Sequence, residues 1–157
     1  MNNPLKEELQ KAINYAFLLL KYRLRTESEI RRRLKRKKFA ADVIEATVSF
    51  LKEKKFINDA DFARAWFEAR GQKFGLKRIR QELRQKGVSA ELINQAQNGL
   101  RDYQEKEVLF ALAKKRMPLL RGLPFAKKRQ RLYGYLLRRG FPPDMVLEAL
   151  NRILPAT

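Results

Sequence analysis

Residues 26–44 read TESEIRRRLKRKKFAADVI, and the spacing of their apolar positions decides the fold. Ile30 and Leu34 lie one helical turn apart, and Val43 and Ile44 open a second apolar stripe beyond Phe39. The stretch Thr26-Glu27-Ser28-Glu29 forms a capping box. Its Thr26 hydroxyl can accept from the Glu29 amide while the Glu29 carboxylate reaches back. Shifted by 49 positions, the set Ile30, Leu34, Phe39, Val43, Ile44 becomes Ile79, Leu83, Val88, Leu92, Ile93. A further shift of 53 gives Leu132, Leu136, Phe141, Met145, Val146. Every apolar position stays apolar in all three copies.

Helices precede each copy in a looser register. Tyr15, Leu19 and Arg23 correspond to Phe62, Trp66 and Arg70, then to Val108, Leu112 and Arg116. Each copy is thus a three-helix unit of about 50 residues, too small to bury much surface alone, so neighbours are expected to pack on one another. The spacing predicts nine helices, near 5–23, 27–37, 41–55, 59–72, 76–86, 90–101, 103–116, 125–139 and 143–153. No strand alternation is visible. The expected architecture is all-α, with three tandem repeats at 1–57, 58–101 and 102–157, the last divergent. Its first two helices are separated by a prolyl loop running from Met117 to Pro124. Ile13, Phe17, Leu20 and Leu24, with Leu9 and Ala16, mark the buried stripe of the first helix. Ser89 and either Asn58 or Asp59 are expected N-caps. Gly87 and Gly140 each follow a basic helix, where a left-handed residue closes it cheaply.

The chain has 157 residues, 36 Lys and Arg against 17 Asp and Glu, and a formal net charge of +19, which points to polyanionic or acidic partners. It has no Cys and no His. Disulfides, thiolate metal sites and imidazole bases are therefore excluded. The longest early apolar run, Tyr15 to Leu20, is far short of the ~20 residues that span a bilayer. Charged residues before it and no small-residue cleavage site after it argue against a secretory signal, so a cytoplasmic protein without membrane contact is expected.

The charge is localised. Residues 20–40 hold ten Lys or Arg against two acids, residues 70–87 seven against one, and residues 114–139 ten against none. These windows centre on the second helix of each repeat. At 100° per residue Ile30 and Leu34 face inward while Arg32, Lys35 and Arg36 face away. The candidate anion-binding residues are Arg31, Arg32, Lys35 and Arg36 on the first copy. On the second they are Lys77, Arg80 and Arg84, with Arg80 on the flank. On the third they are Lys127, Lys128, Arg131 and Arg138. Adjacent like charges cost a few tenths of a kcal/mol on a helix, so three repeated basic faces call for a compensating partner.

Other candidates carry less. Asp59 and Asp61 sit at a helix start, where capping explains them without a metal. Trp66, Phe62 and Phe67 fall on an apolar face and belong to the core. Phe74, Tyr133 and Tyr135 have basic neighbours but also favour partial burial. Gly71 and Gly75 lack the spacing of a phosphate-binding loop. No nucleophile has a base, and no catalytic, cofactor or metal constellation is present.

The stretch from Phe56-Ile57-Asn58-Asp59-Ala60-Asp61-Phe62-Ala63 to Arg70 resembles the central signature of the RecX family of recombinase regulators. Gly75-Leu76-Lys77-Arg78-Ile79, Glu82-Leu83, Lys86-Gly87-Val88 and Ile93 follow as in that family. The segment from Ala16 through Arg25-Thr26-Glu27-Ser28-Glu29-Ile30 to Leu34 resembles its opening motif. Ile30 stands where Leu is usual. The resemblance covers residues 12–100 well and extends more loosely to 153. It implies a non-enzymatic monomer without cofactors, built of three three-helix modules in a curved, elongated array. Such a protein would bind the groove of the RecA recombinase filament on single-stranded DNA, with double-stranded DNA as a further partner. It would suppress ATPase, strand exchange and co-protease function. The rival reading is a sequence-tolerant DNA-binding protein made of helix-turn-helix-like units, as Glu82 to Ile93 would allow. Against it, the third helices carry acidic residues (Asp42 and Glu45, Glu91, Asp144 and Glu148) where a base reader needs Arg, Asn or Gln. A scaffold for another acidic protein is a third reading.

Overall fold

The structure, a computed structural model, describes residues 3–100 and 103–155. Nine α-helices and no strand occur among the described residues. They are α1 (Pro4–Tyr22), α2 (Glu27–Arg36), α3 (Ala41–Glu53), α4 (Asp59–Arg70), α5 (Leu76–Gln85), α6 (Ala90–Asn98), α7 (Glu105–Arg116), α8 (Phe125–Arg138) and α9 (Pro143–Ile153). The prolyl loop holds one 3-10 turn, Met117–Leu120, whose Leu120 is buried. The boundary expected at residues 101 and 102 lies outside the described residues.

The repeat is visible in hydrogen bonds as well as in sequence. Lys38, Gly87 and Gly140 occupy one repeat position, and all three have positive φ, at 64°, 81° and 90°. Their amides donate to the carbonyls of Lys35, Arg84 and Leu137, and the next amides (Phe39, Val88, Phe141) reach back to Leu34, Leu83 and Leu136. This closure ends a helix with its last carbonyls satisfied and turns the chain into the third helix. There Ile44, Ile93 and Val146 donate to Ala40, Ser89 and Pro142. Ser89 Oγ also accepts from the Leu92 amide, as expected of a cap. At α4 it is Asn58 whose side chain accepts from Ala60 and Asp61, leaving Asp59 for another role.

The chain forms two compact units: Met1–Ala65 with Leu83–Ala96, and Trp66–Glu82 with Gln97–Thr157. Each contains a terminal repeat and part of the middle one. The first unit's core gathers Ala16, Leu19, Ile30, Leu34, Val48 and Leu51, with Phe39 partly buried against it. The second unit's core gathers Leu109, Leu132, Leu136, Phe141, Val146 and Leu150. Ile30, Leu34 and Val48 match Leu132, Leu136 and Leu150 in repeat register, so one apolar pattern builds both cores. Each such side chain contributes about 1.5–3 kcal/mol when fully buried. Leu24 was expected on the buried stripe of α1 but is 63% exposed. Helix α1 ends at Tyr22 and the backbone extends at Arg23, which turns Leu24 off the stripe.

Within each unit one repeat docks on the next through the same joint. In the first unit the α2 amide of Glu27 donates to Asp59 Oδ1 (3.0 Å), and Thr26 Oγ1 donates to the Lys86 carbonyl (2.6 Å). A Cβ on Gly87 would collide with the side chain of Ser28. In the second unit the α5 amide of Leu76 donates to Glu105 Oε1 (2.8 Å), and the Gly75 amide donates to the Arg139 carbonyl (2.8 Å). A Cβ on Gly140 would collide with Arg78. In both, the closing turn of one repeat presses on the start of the previous repeat's second helix. An acid from the following first helix caps that start. Burial raises the pKa of both acids, Asp59 and Glu105.

Candidate functional site

On α2 the inward positions Ile30 and Leu34 have no exposed surface, while Arg32, Lys35 and Arg36 are exposed. None of these three has a carboxylate partner among the described residues. Arg31 differs. Its guanidinium donates to Glu45 through Nε (2.9 Å) and Nη2 (3.2 Å), and to Glu27 through Nη1 (3.3 Å). The Glu45 bonds raise its pKa in spite of partial burial, so Arg31 is a committed cation rather than a free one. Arg31, Arg32 and Lys35 line a groove of about 510 Å³ together with Phe39, Ala41, Ile44 and Glu45.

On α5, Lys77 and Arg84 are exposed and without an acidic partner among the described residues. Arg80 is half-buried, and its Nη1 donates to Gln97 Oε1 (2.7 Å). On α8, Lys127, Arg131 and Arg138 are exposed and Lys128 is half-buried. Eight of the eleven expected cations are thus exposed, while Arg31 and Arg80 are half-buried and tied to neighbours, and Lys128 is half-buried on the side of Leu132 and Leu136. The first set lies in the first compact unit and the third in the second unit.

Sequence reasoning missed a guanidinium cluster in the second unit. Arg70, Arg78 and Arg139 lie over the ring of Phe74, at 4.1, 4.3 and 4.8 Å from its centroid. Arg139 and Arg116 both lie over Tyr135, at 5.1 and 5.0 Å. Glu82 is the carboxylate of this cluster. It accepts from Arg70 Nε (3.0 Å) and Nη2 (2.6 Å), from the Trp66 indole (3.0 Å) and from Arg78 Nε (3.2 Å). Burial pushes its pKa up, but the Arg70, Trp66 and Arg78 hydrogen bonds outweigh this and leave it lowered. Phe74 is buried, and Tyr133 and Tyr135 are half-buried, so none is a free stacking platform. One sequence signal marks the cluster: Arg23, Arg70 and Arg116 share a repeat position.

No group of three or more Asp or Glu able to hold a metal occurs among the described residues. No helix among them is long and apolar enough to cross a membrane.

Comparison with known proteins finds three successive three-helix domains. Residues 12–51, 58–96 and 102–150 match the first, second and third three-helix domains of RecX. A regulatory protein RecX of Thermotoga petrophila is 38% identical over 157 residues, covering 97% of this chain and 91% of its own length. One from Amycolatopsis mediterranei is 33% identical over 153 residues, covering 96% and 87%. The crystal structure of RecX from Lactobacillus salivarius superimposes with a TM-score of 0.79 at 23% identity, covering 94% of this chain and 97% of that one. A second crystal structure, of a regulatory protein RecX, gives 0.80 at 25% identity, covering 94% and 74%. Three matched domains in order, with relatives above 30% identity along nearly the whole chain, establish that this protein belongs to the RecX family of regulatory proteins.

Proposed function

We propose that this chain binds the RecA filament on single-stranded DNA and restrains the recombinase without chemistry of its own. The observation that carries the reading is the repeated basic face. Arg32, Lys35 and Arg36 on α2, Lys77 and Arg84 on α5, and Lys127, Arg131 and Arg138 on α8 point away from the core. These side chains lack acidic partners among the described residues. Such faces repel within the free protein and gain when phosphates or acidic side chains replace the repulsion. A nucleoprotein filament offers both. The acidic positions of the third helices, Asp42, Glu45, Glu91 and Asp144, are exposed and disfavour insertion of those helices into a DNA groove.

The test is inhibition of filament ATP hydrolysis by two variants. The first is Arg32→Glu with Lys35→Glu and Arg36→Glu. The second is Lys77→Glu with Arg84→Glu, leaving Arg80 on Gln97. Each reversal set should weaken inhibition at least about tenfold, about 1.4 kcal/mol. Melting temperatures should stay near the parent value, since these side chains are exposed. Parental inhibition by both variants would remove the basic faces from the contact.

A further inference from the structure

The two joints share a backbone plan but differ in charge. In the first, the Glu29 carboxylate lies 2.9 Å from Arg23 and 3.3 Å from Lys86, so two cations converge on an anion. Moved into the second joint by repeat register, Arg23 becomes Arg70, Lys86 becomes Arg139 and Glu29 becomes Arg78. The carboxylate has moved one turn along α5 to Glu82, where Arg70, Arg78 and the Trp66 indole bind it. Arg139 therefore stands where Lys86 stands but shares the Phe74 ring with the guanidinium of Arg78. Its Nη1 donates to the Lys73 carbonyl (3.0 Å). Neither Arg139 nor Arg116 has a carboxylate partner among the described residues. The aromatic contacts and the Lys73 carbonyl hold the orientation of Arg139 without cancelling its charge. Around Phe74 and Tyr135 the second joint thus gathers Arg70, Arg78, Arg116 and Arg139 against a single bound carboxylate among the described residues, that of Glu82.

We infer that the second joint is a phosphodiester site, in which Arg139, with Arg78 and Arg116 beside it, receives a backbone phosphate of a nucleic-acid strand. The planar fork of a guanidinium matches phosphate oxygens, and Arg139 and Arg116, which share the Tyr135 ring, both keep forks without a carboxylate. An oriented arginine also loses less freedom on binding than the exposed cations of α2 and α8. The inference rests on the reading above that a nucleoprotein is the partner. It adds a fixed phosphate contact to the exposed faces.

The experiment measures binding of the full chain to a fluorescent oligothymidine strand across a salt series. The variants are Arg139→Gln, Arg139→Lys and Arg116→Gln. Arg139→Gln should bind about tenfold more weakly, and its log–log salt slope should be shallower by about 0.7, the value for one phosphate on a single strand. Arg139→Lys should keep the slope and lose part of the affinity, because charge remains without the fork. If Arg139→Gln melts well below the parent, Arg116→Gln at the edge of the cluster is read by the same two criteria. Parental affinity and slope in a folded Arg139→Gln or Arg116→Gln variant would overturn the site while leaving filament binding intact. So would loss of affinity for polyglutamate but not for the strand, which would assign the cluster to an acidic protein. A parent chain with no salt-dependent strand binding overturns the site together with the nucleic-acid part of the proposed function. Inhibition of the filament would then still test the rest.

Discussion

Lys38 adopts a φ of 64°, at the position that Gly87 and Gly140 fill in the other repeats. A side chain in that region costs about 1 kcal/mol over glycine. Lys38→Gly should therefore raise stability by about 0.5–1 kcal/mol in denaturant melts. Gly87→Ala should do the opposite and by more, about 2 kcal/mol or above, because its methyl adds a clash with Ser28 to the same backbone strain. Glu29 carries a pH signature. Burial alone would raise its pKa, but bonds from Arg23 and the Thr26 amide and the charge of Lys86 bring it to about 2. A carboxyl depressed on folding stabilises the native state above its unfolded pKa, and that stability is lost as pH falls through the folded value. Between pH 5 and pH 2 the parent should lose about 2–3 kcal/mol that Glu29→Gln does not lose, read from unfolding midpoints. The capping box that places Glu29 was legible as Thr26-Glu27-Ser28-Glu29, and both of its bonds are made. The tie to Lys86 was not legible, because no local rule links residues 57 positions apart.

Helix starts were the most legible elements, since caps and apolar spacing are local. The third helices begin at Ala41, Ala90 and Pro143, and α2 and α5 begin at Glu27 and Leu76, all where spacing placed them. What closes those two second helices lies elsewhere in the chain. Asp59 was read as a possible cap of its own helix, but its carboxylate serves Glu27 at the start of α2, and Glu105 serves Leu76 in the same way. Asp59→Ala and Glu105→Ala should each cost about 1–2 kcal/mol, the usual loss when a helix-end amide is left without its acceptor. Amide exchange of Glu27 should rise in the first variant and that of Leu76 in the second. A uniform rise across the chain would instead mean that the acids act on global stability rather than at these helix starts.

Over the whole molecule, a net charge of +19 predicts that binding to single strands falls steeply with salt, with a log–log slope of about −0.7 for each phosphate neutralised. A binding curve insensitive to salt would exclude the basic faces as the contact. Composition, periodicity and register were enough to reach an all-α chain of three repeats. They also picked out eight exposed cations, because helical geometry fixes which side each position faces, but included Arg31, Arg80 and Lys128, which are half-buried. They did not find the Phe74 cluster, since it draws on α4, α5, α7, α8 and the loop before α5, and its logic is tertiary. The second helices differ at their starts. In repeat register α8 should begin at Arg129, yet it runs one turn further back, from Phe125, behind a prolyl N-cap. The starts of α2 and α5 take a carboxylate from the following first helix and meet the closing turn of the following repeat, whereas α8 starts on its own extra turn. Among the described residues no side chain caps that extra turn, so its amides are held by solvent rather than by a neighbouring carboxylate. The start of α8 should therefore fray before those of α2 and α5, and its first-turn amides should exchange soonest of the three.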